Sequence, residues 1–447
     1  MGALTPIPPA TALRRQHRHG TALDVDLNVP ALLLKIGNYP IHHGSVGAVR
    51  SLGMLGIDVY AVTEDRFTPT ALSRHLKRAL VWPTTGAEDP QELLAGVMRL
   101  GEQIGKPAVL VPTDDEAALL VAEHADVLAE RFILPDVAPA LPRELASKSG
   151  LAGLCAEHGV GAPRCLTPHS VEELRAMAGE IGFPVVLKND QAWLRLTKPA
   201  VASTTLLGDM AQLDQLAAKW TSMPSVVVQE YLERDSAEDW IAHMYVGSEP
   251  DATVVFTGIK LRSWPPHAGV TAVARSLWNH DLAERTLTFA NAVGFRGIAD
   301  LDWRLDTRDG VFRLLDFNPR IGAQFQMFET EDGVDVVRAL HLDLTGRAWP
   351  TLAQVEGRRF VVEHLAAPAL LASRRVNGMP SSAGANGTAF SPRAKRAWSS
   401  FDDPLPALAV AVRIGLTAAR RLTTRTVRPH VHADPVSPPP AVNSPAR

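Results

Sequence analysis

At 447 residues the chain is long enough for roughly two to four domains with a large buried core. Its 46% hydrophobic and 21% charged residues are those of an ordinary globular protein, and a net charge of −3 gives no basic surface for nucleic acid. Two cysteines, Cys155 and Cys165, cannot build a zinc site alone and fit a reducing compartment. No apolar run reaches the ~18 residues that a membrane span needs. Arg14, Arg15 and Arg18 are followed by no apolar segment, which speaks against a secretory signal. The expected compartment is the cytoplasm.

Residues 1–28 are polar and aperiodic and read as a flexible arm. From 29 to 140 the pattern alternates between short apolar strands and helices. Strands are expected at Ala31–Ile36, Asp58–Thr63, Leu80–Trp82, Ala108–Val111 and Phe132–Leu134. Helices are expected at Val46–Leu55, Pro90–Ile104 and Asp114–Glu130. Such alternation predicts a Rossmann-like parallel sheet with helices on both faces. Gly37, Gly44 and Gly47 follow the first strand, where such sheets bind ligands, but no GxGxxG is present. His42 and His43 share that loop, and either could line a pocket.

A second region, 141–232, reads as helix Arg143–His158, strand Pro163–Leu166, helix Val171–Ile181, strands Pro184–Lys188 and Val201–Leu207, helix Met210–Trp220 and strand Val226–Leu232. A third, 233–348, has strands at Trp240–Val246, Thr253–Leu261 and Val270–Leu277, a helix at Asp281–Val293, a hairpin over Gly297–Asn318 and a helix at Val334–Leu344. Residues 349–427 form an extension with a strand at Phe360–His364 and an apolar helix over Asp403–Leu422. Composition allows a membrane-surface role for that helix, but its faces are poorly separated and a packed or partner helix is the expectation. The Pro- and Ser-rich tail, 428–447, reads as disordered.

The chemistry concentrates in a few clusters. Within the hairpin, Asp302 and Asp316 each follow alternating apolar residues, and Asp306-Thr307-Arg308-Asp309-Gly310 is a turn. Two antiparallel strands would set Asp302, Asp316 and Asn318 on one face as hard oxygen ligands of the kind Mg²⁺ accepts beside substrate phosphates. Arg320 adds a fixed cation for developing charge. An ordinary hairpin with solvated acids is the bland alternative. Lys188 ends a buried strand and can reach phosphate oxygens; Lys148 opens a helix; alone, each is as readily a surface lysine. Lys260 and Arg262 share a strand face by alternation, and two such cations call for anions. Trp193, Trp264 and Trp303 flank this region and serve packing equally well.

The run Asp316-Phe317-Asn318-Pro319-Arg320 with an upstream acid resembles the metal-binding end of the ATP-grasp superfamily. So does the order of Lys148, Lys188 and Gln229-Glu230-Tyr231-Leu232. Lys260-Leu261-Arg262-Ser263-Trp264-Pro265-Pro266-His267-Ala268-Gly269 is similar to a segment of its carboxylate–amine ligase subgroup, of which D-aspartate ligase is a member. The resemblance spans about Ala31 to Gly346. It implies an α/β chain, α+β in the ATP-binding part, with a Rossmann-like N-terminal domain followed by two lobes clasping ATP. It implies ATP and Mg²⁺ (or Mn²⁺) as cofactors. Lys148, Lys188, Glu230, Tyr231, Leu232 and Glu238 would bind nucleotide, with Asp239 as second choice for the ribose acid. Asp302, Asp316 and Asn318 would bind metal, and Arg320, Arg262 and Lys260 would act in catalysis. The implied reaction is amide formation between a small carboxylic acid and an amine, amino-acid-like partners, through an acyl phosphate. A homodimer is the assembly the resemblance favours. A carboxylase or phosphotransferase on the same fold, or a catalytically silent ATP-binding regulator, is the alternative. One departure stands out: residues 189–199 hold no glycine, so the usual phosphate loop is missing. Arg195, Lys198 or the Ser203-Thr204-Thr205 hydroxyls are left to cover the phosphate.

Overall fold

The computed structural model describes residues 23–191, 193–194, 199–202, 204–233, 236–265, 269–350, 352–376 and 394–426. Most of the expected arm (1–28) and all of the expected tail (428–447) lie outside these, as do Arg195, Lys198, Ser203 and residues 266–268.

The N-terminal domain is a parallel sheet. Strands β1 (Ala31–Leu34), β2 (Val59–Thr63), β3 (Arg78–Val81), β4 (Ala108–Pro112) and β5 (Phe132–Ile133) lie in the order β3-β2-β1-β4-β5. Its helices are α1 (His43–Gly53), α2 (Pro90–Ile104), α3 (Asp115–Glu123) and α4 (Ala125–Leu128). β1 and β4 are apolar throughout and buried on both faces, as parallel strands covered by helices must be. The helix expected over Asp114–Glu130 is two. His124 leaves the helical region (φ −124°, ψ 25°), ending α3 and starting α4. Residues 23–29 are not loose: Leu23, Val25 and Val29 pack on the core, and Arg347 pairs with Asp24 at 3.0 Å and Asp26 at 3.4 Å.

Next come α5 (Leu141–Ala146) and α6 (Lys148–Glu157). The sequence reads as one helix here, but Ser147 turns extended (ψ 147°) and caps α6, its Oγ accepting from Gly150 N at 2.9 Å. That single helix is expected in the small lobe. Leu141, Leu145, Leu151 and Cys155 instead lie in the core under the large sheet, with Trp240, Trp303 and Phe317. The small lobe proper has its own core, built from β6 (Cys165–Leu166), α7 (Val171–Ile181), β7 (Val185–Asn189), β8 (Thr205–Leu207), α8 (Met210–Ala217) and β9 (Val226–Glu230). Its antiparallel order is β6-β9-β7-β8.

The large lobe holds β10 (Ala237–Val246), β11 (Thr253–Trp264), β12 (Val270–Ser276), α9 (His280–Ala292), β13 (Gly297–Asp306), β14 (Val311–Asn318) and α10 (Val336–Leu344). The C-terminal extension adds β15 (Arg359–Val361), α11 (Glu363–Val376), β16 (Lys395–Arg396) and α12 (Leu405–Thr426). Its two strands complete a seven-stranded sheet, β14-β13-β10-β11-β12-β15-β16. The extension then reaches back to the N-terminal domain. Arg50 of α1 donates to Asp403 Oδ2 at 2.9 Å and to the carbonyl of Trp398 at 2.7 Å, and Ser73 and Arg74 N also donate to Asp403. Asp403 is 1% exposed, so its charge is fully desolvated and depends on Arg50.

Removing one member of such a pair strands the other. Asp403→Ala should cost about 3–5 kcal/mol in denaturant unfolding, far more than a surface pair. A loss below about 1 kcal/mol would show that the extension does not hold the N-terminal domain through this contact.

Candidate functional site

The site lies on one face of the large sheet, where the hairpin β13–β14 sets the register. Asp302 is directly opposite Asp316, and Asp300 opposite Asn318, so all four side chains share a face. The register shifts by one residue between Asp302 and Trp303, and the ladder continues from Trp303 opposite Leu314 to Asp306 opposite Val311. The turn between the strands is completed by Gly310 at φ +71°. Asn318 Nδ2 donates to the carbonyl of Asp300 at 3.0 Å, which fixes the amide and makes Oδ1 its acceptor end. β10 is the next strand, with His243 opposite Asp300 and Ile241 opposite Asp302.

Four cations converge on these acids from different elements. Lys148, at the start of α6, pairs with Asp316 Oδ1, and Lys188 of β7 is 3.9 Å from Asp316 Oδ2. The two lysines are brought together by Asp190: its carbonyl accepts from Lys148 N at 3.0 Å and its Oδ1 from Ser149 N at 2.8 Å. Lys260 of β11 is 2.6 Å from Asp302 Oδ1. Arg320 reaches Asp115 Oδ1 at 3.1 Å and Asp300 Oδ2 at 3.4 Å, tying the N-terminal domain to the large lobe. Asp300 also lies 3.0 Å from the fully buried His243 Nε2, an ion-pair distance without hydrogen-bond alignment.

The protonation states follow from these neighbours. Burial alone would raise Asp316, but Lys148 and Lys188 hold it at about 2. Asp302 is raised: burial and the adjacent Asp300 and Asp316 outweigh Lys260. Asp300 is buried too, yet His243, Arg320 and Lys260 pull it well below the usual carboxylate range. Lys188 is lowered by burial, which Asp316 offsets only in part, while Asp316 lifts Lys148 and Asp302 lifts Lys260 despite burial.

Asp302 facing Asp316 is a like-charge pair, unfavourable unless a cation intervenes. Among the described residues no three His, Cys, Asp or Glu side chains gather into a metal cluster. The donor set is two carboxylates and one amide oxygen, sparse but suited to Mg²⁺, which keeps waters and substrate phosphates as its other ligands. The residues present therefore fit that ion.

The structure brings together Lys148, Lys188, Lys260, Asp302, Asp316, Asn318 and Arg320. Arg262 is different. The β11–β12 ladder shifts register on both sides of it, so strict alternation with Lys260 fails there. Among the described residues Lys260, and not Arg262, is within pairing distance of the site's carboxylates. The expected nucleotide acid and its second choice lie on opposite faces of β10. Glu238 sits on the opposite face of β10 from Asp302, accepting from Trp240 Nε1 at 3.0 Å. Asp239 is on the site's face, held by Arg304 at 2.7 Å, and Arg304 also donates to the carbonyl of Leu232 at 3.0 Å. Glu230 ends β9 with its amide N donating to the Arg164 carbonyl at 2.9 Å, Tyr231 follows, and Leu232 is buried. Trp193 and Trp303 are packing residues, 5% and 1% exposed. His42 caps α1 through Ser45, and His43 is wedged between Phe360 and Trp398. Burial pushes His43 down to about 3, so it is neutral.

Sequence reasoning missed Asp300, His243 and the acids of the N-terminal domain. Asp114 accepts from Ile36 N, Gly37 N and Ala117 N, joining β1 to α3. Beside it Tyr39 Oη is 3.4 Å from Glu116 Oε1, and Lys35 is 2.5 Å from Glu64. A Cβ on Gly37 would meet the Tyr39 ring at 2.4 Å and Glu116 Oε1 at 3.0 Å, so this wall is closely fitted. Asp300 lies two residues before Asp302, a spacing that already put it on the same face.

No protein-family model matches the sequence. Solved structures align along most of the chain. L-amino acid ligase from Bacillus licheniformis matches with a TM-score of 0.53 at 16% identity, over 71% of this chain and 75% of that one. The biotin carboxylase domain of Hydrogenobacter thermophilus 2-oxoglutarate carboxylase, solved with MgADP, ADP and bicarbonate, matches with a TM-score of 0.53 at 15% identity, over 72% and 71%. The chain therefore has the fold of these proteins, the ATP-grasp fold. In sequence it is similar to D-aspartate ligase from Enterococcus faecium, 22% identical over 295 residues, 62% of this chain and 68% of that protein.

Burial, Asp114 and Asp115 raise Glu116 from 4.5 to about 8. Between these values the folded state holds a proton that the unfolded chain has released, so stability falls as pH rises from about 4.5 to 8. Glu116→Gln should flatten the fall of unfolding free energy across that range. An unchanged pH profile would show that Glu116 ionises normally.

Proposed function

We propose that this protein is an ATP-dependent carboxylate–amine ligase working through an acyl phosphate. The observation that carries the reading is the balance of Lys148, Lys188, Lys260 and Arg320 against Asp115, Asp300, Asp302 and Asp316 on one sheet face between lobes. These groups can exchange partners. Anionic ATP and an acid substrate would take over the lysines, and Asp302, Asp316 and Asn318 would hold Mg²⁺. Held there, the ion would supply charge neutralisation for the phosphates.

The chemistry is two displacements. A substrate carboxylate oxygen attacks the γ-phosphorus, the bond to the bridging oxygen breaks, and ADP leaves. The amine nitrogen then attacks the acyl carbon, phosphate departs, and the nitrogen loses a proton. The barrier is the meeting of anions, so fixed cations do most of the work. Lys148 and Lys188 hold the phosphates, and Lys260 and Arg320 the carboxylate and transferring phosphoryl group. Arg262 stands next on the same strand, at the bulge, and would act on the substrate side. The Glu230 carbonyl and the Leu232 amide are assigned to the adenine edge, with Asp239 preferred to Glu238 for the ribose. Arg320, held by Asp115, makes the N-terminal domain part of the acceptor site. The nearby Tyr39–Glu116 contact and the Arg320 cation suit an amino-acid-like substrate, which carries both signs of charge. The absence of a membrane-crossing helix among the described residues is consistent with action in the cytoplasm, and a homodimer is the assembly favoured by resemblance.

The test is ADP release from Mg²⁺-ATP with amino acids and small carboxylic acids, singly and paired, with mass spectrometry of products. The reading requires turnover that needs both an acid and an amine and yields their condensate. ATP binding with no turnover for any pair would favour a silent nucleotide-binding protein. Asp316→Asn and Arg320→Ala should each lower kcat by about a thousandfold or more, the scale of losing a key electrostatic group, while the protein stays folded. Near-native rates in either variant would remove these residues from the mechanism.

A further inference from the structure

The C-terminal helix α12 presents an apolar stripe to solvent. Leu405, Leu408, Val412 and Leu416 recur at helical spacing and are 50%, 60%, 51% and 56% exposed. Phe401, just before the helix, is fully exposed. Phe67 of the N-terminal domain is 72% exposed and sits beside the helix, its carbonyl accepting from Arg413 Nε at 3.2 Å. Large apolar side chains clustered in this way mark an interaction surface.

The helix is not free to fold the stripe away. Its buried side, Pro406, Ala409 and Val410, packs inward. The Asp403 hub fixes its start, and Arg413 pairs with Asp65 at 2.5 Å. The stripe therefore faces outward on a rigid support.

Charge says what covers it. Arg413, Arg420, Arg421, Arg425 and Arg428 are the ionic residues between Pro404 and Ala433, and no Asp or Glu lies there. The chain as a whole is net negative, so this cationic segment is a local reversal. Arg413 already has Asp65, and a second copy of the same helix would offer the other arginines no counter-charge. An anionic lipid surface offers both a negative field and an apolar layer for the stripe. We propose that α12 docks this enzyme onto the surface of anionic membranes, lying in the interface without crossing it.

The test is co-sedimentation of the full chain with phosphatidylcholine vesicles and with equimolar phosphatidylglycerol–phosphatidylcholine vesicles. Binding should favour the anionic vesicles and weaken with salt. The double variant Leu408→Glu/Val412→Glu should bind about tenfold less or weaker still, with an unchanged unfolding temperature because both side chains are exposed. Equal binding to both vesicle types, or none to either, would overturn the proposal. A dimer in light scattering that the double variant dissolves, with no vesicle binding, would assign the stripe to a second copy instead.

Discussion

The structure depends on mutual neutralisation of buried charge between lobes. Lysine or arginine buried without a counter-charge costs several kcal/mol, and so does a carboxylate. Here Lys148, Lys188, Lys260 and Arg320 come from four parts of the chain, and each is held by an acid that another element supplies. The relative placement of the small lobe, the large sheet and the N-terminal domain is thereby tied to the same contacts that would bind substrate. The arrangement also explains how an anionic nucleotide, a divalent cation and a carboxylate could enter together. Each incoming charge finds a partner already present, and what changes is the pairing.

Much of this was legible in the sequence because it is local. The β13–β14 hairpin is local and its turn is glycine-completed, so the two acids are legible as neighbours, but a regular ladder would set Asp302 opposite Leu315 and a one-residue register shift sets it opposite Asp316 instead. The α/β alternation of the first domain likewise needs only nearest neighbours. What the sequence hid is what tertiary contact decides. Asp114, Asp115 and Glu116 look like any acidic helix start, and only the fold sets Asp115 against Arg320 across 205 positions. His243 reads as a lone histidine in an apolar strand until Asp300 appears opposite it. Ser147 interrupts a helix whose periodicity runs through it, because the break is the cap that aims Lys148. The bulge at Arg262 is invisible to alternation, which assumes a regular ladder.

The C-terminal extension, whose role the sequence left open, is structurally continuous with both the large sheet and the N-terminal domain. β15 and β16 lengthen the large sheet, while Asp403 anchors the extension on Arg50 and the residues after β2. An element this firmly docked with an apolar stripe turned outward is a platform for contact, separate from the face that carries the charge network.

The measurement that tests the central claim most directly is a structure of the protein with Mg²⁺ and a non-hydrolysable ATP analogue. The account predicts the cation at about 2.1 Å from oxygens of Asp302, Asp316 and Asn318, with Lys148 and Lys188 moved from Asp316 onto phosphate oxygens. Lysines still paired with their carboxylates, and nucleotide bound elsewhere, would contradict it.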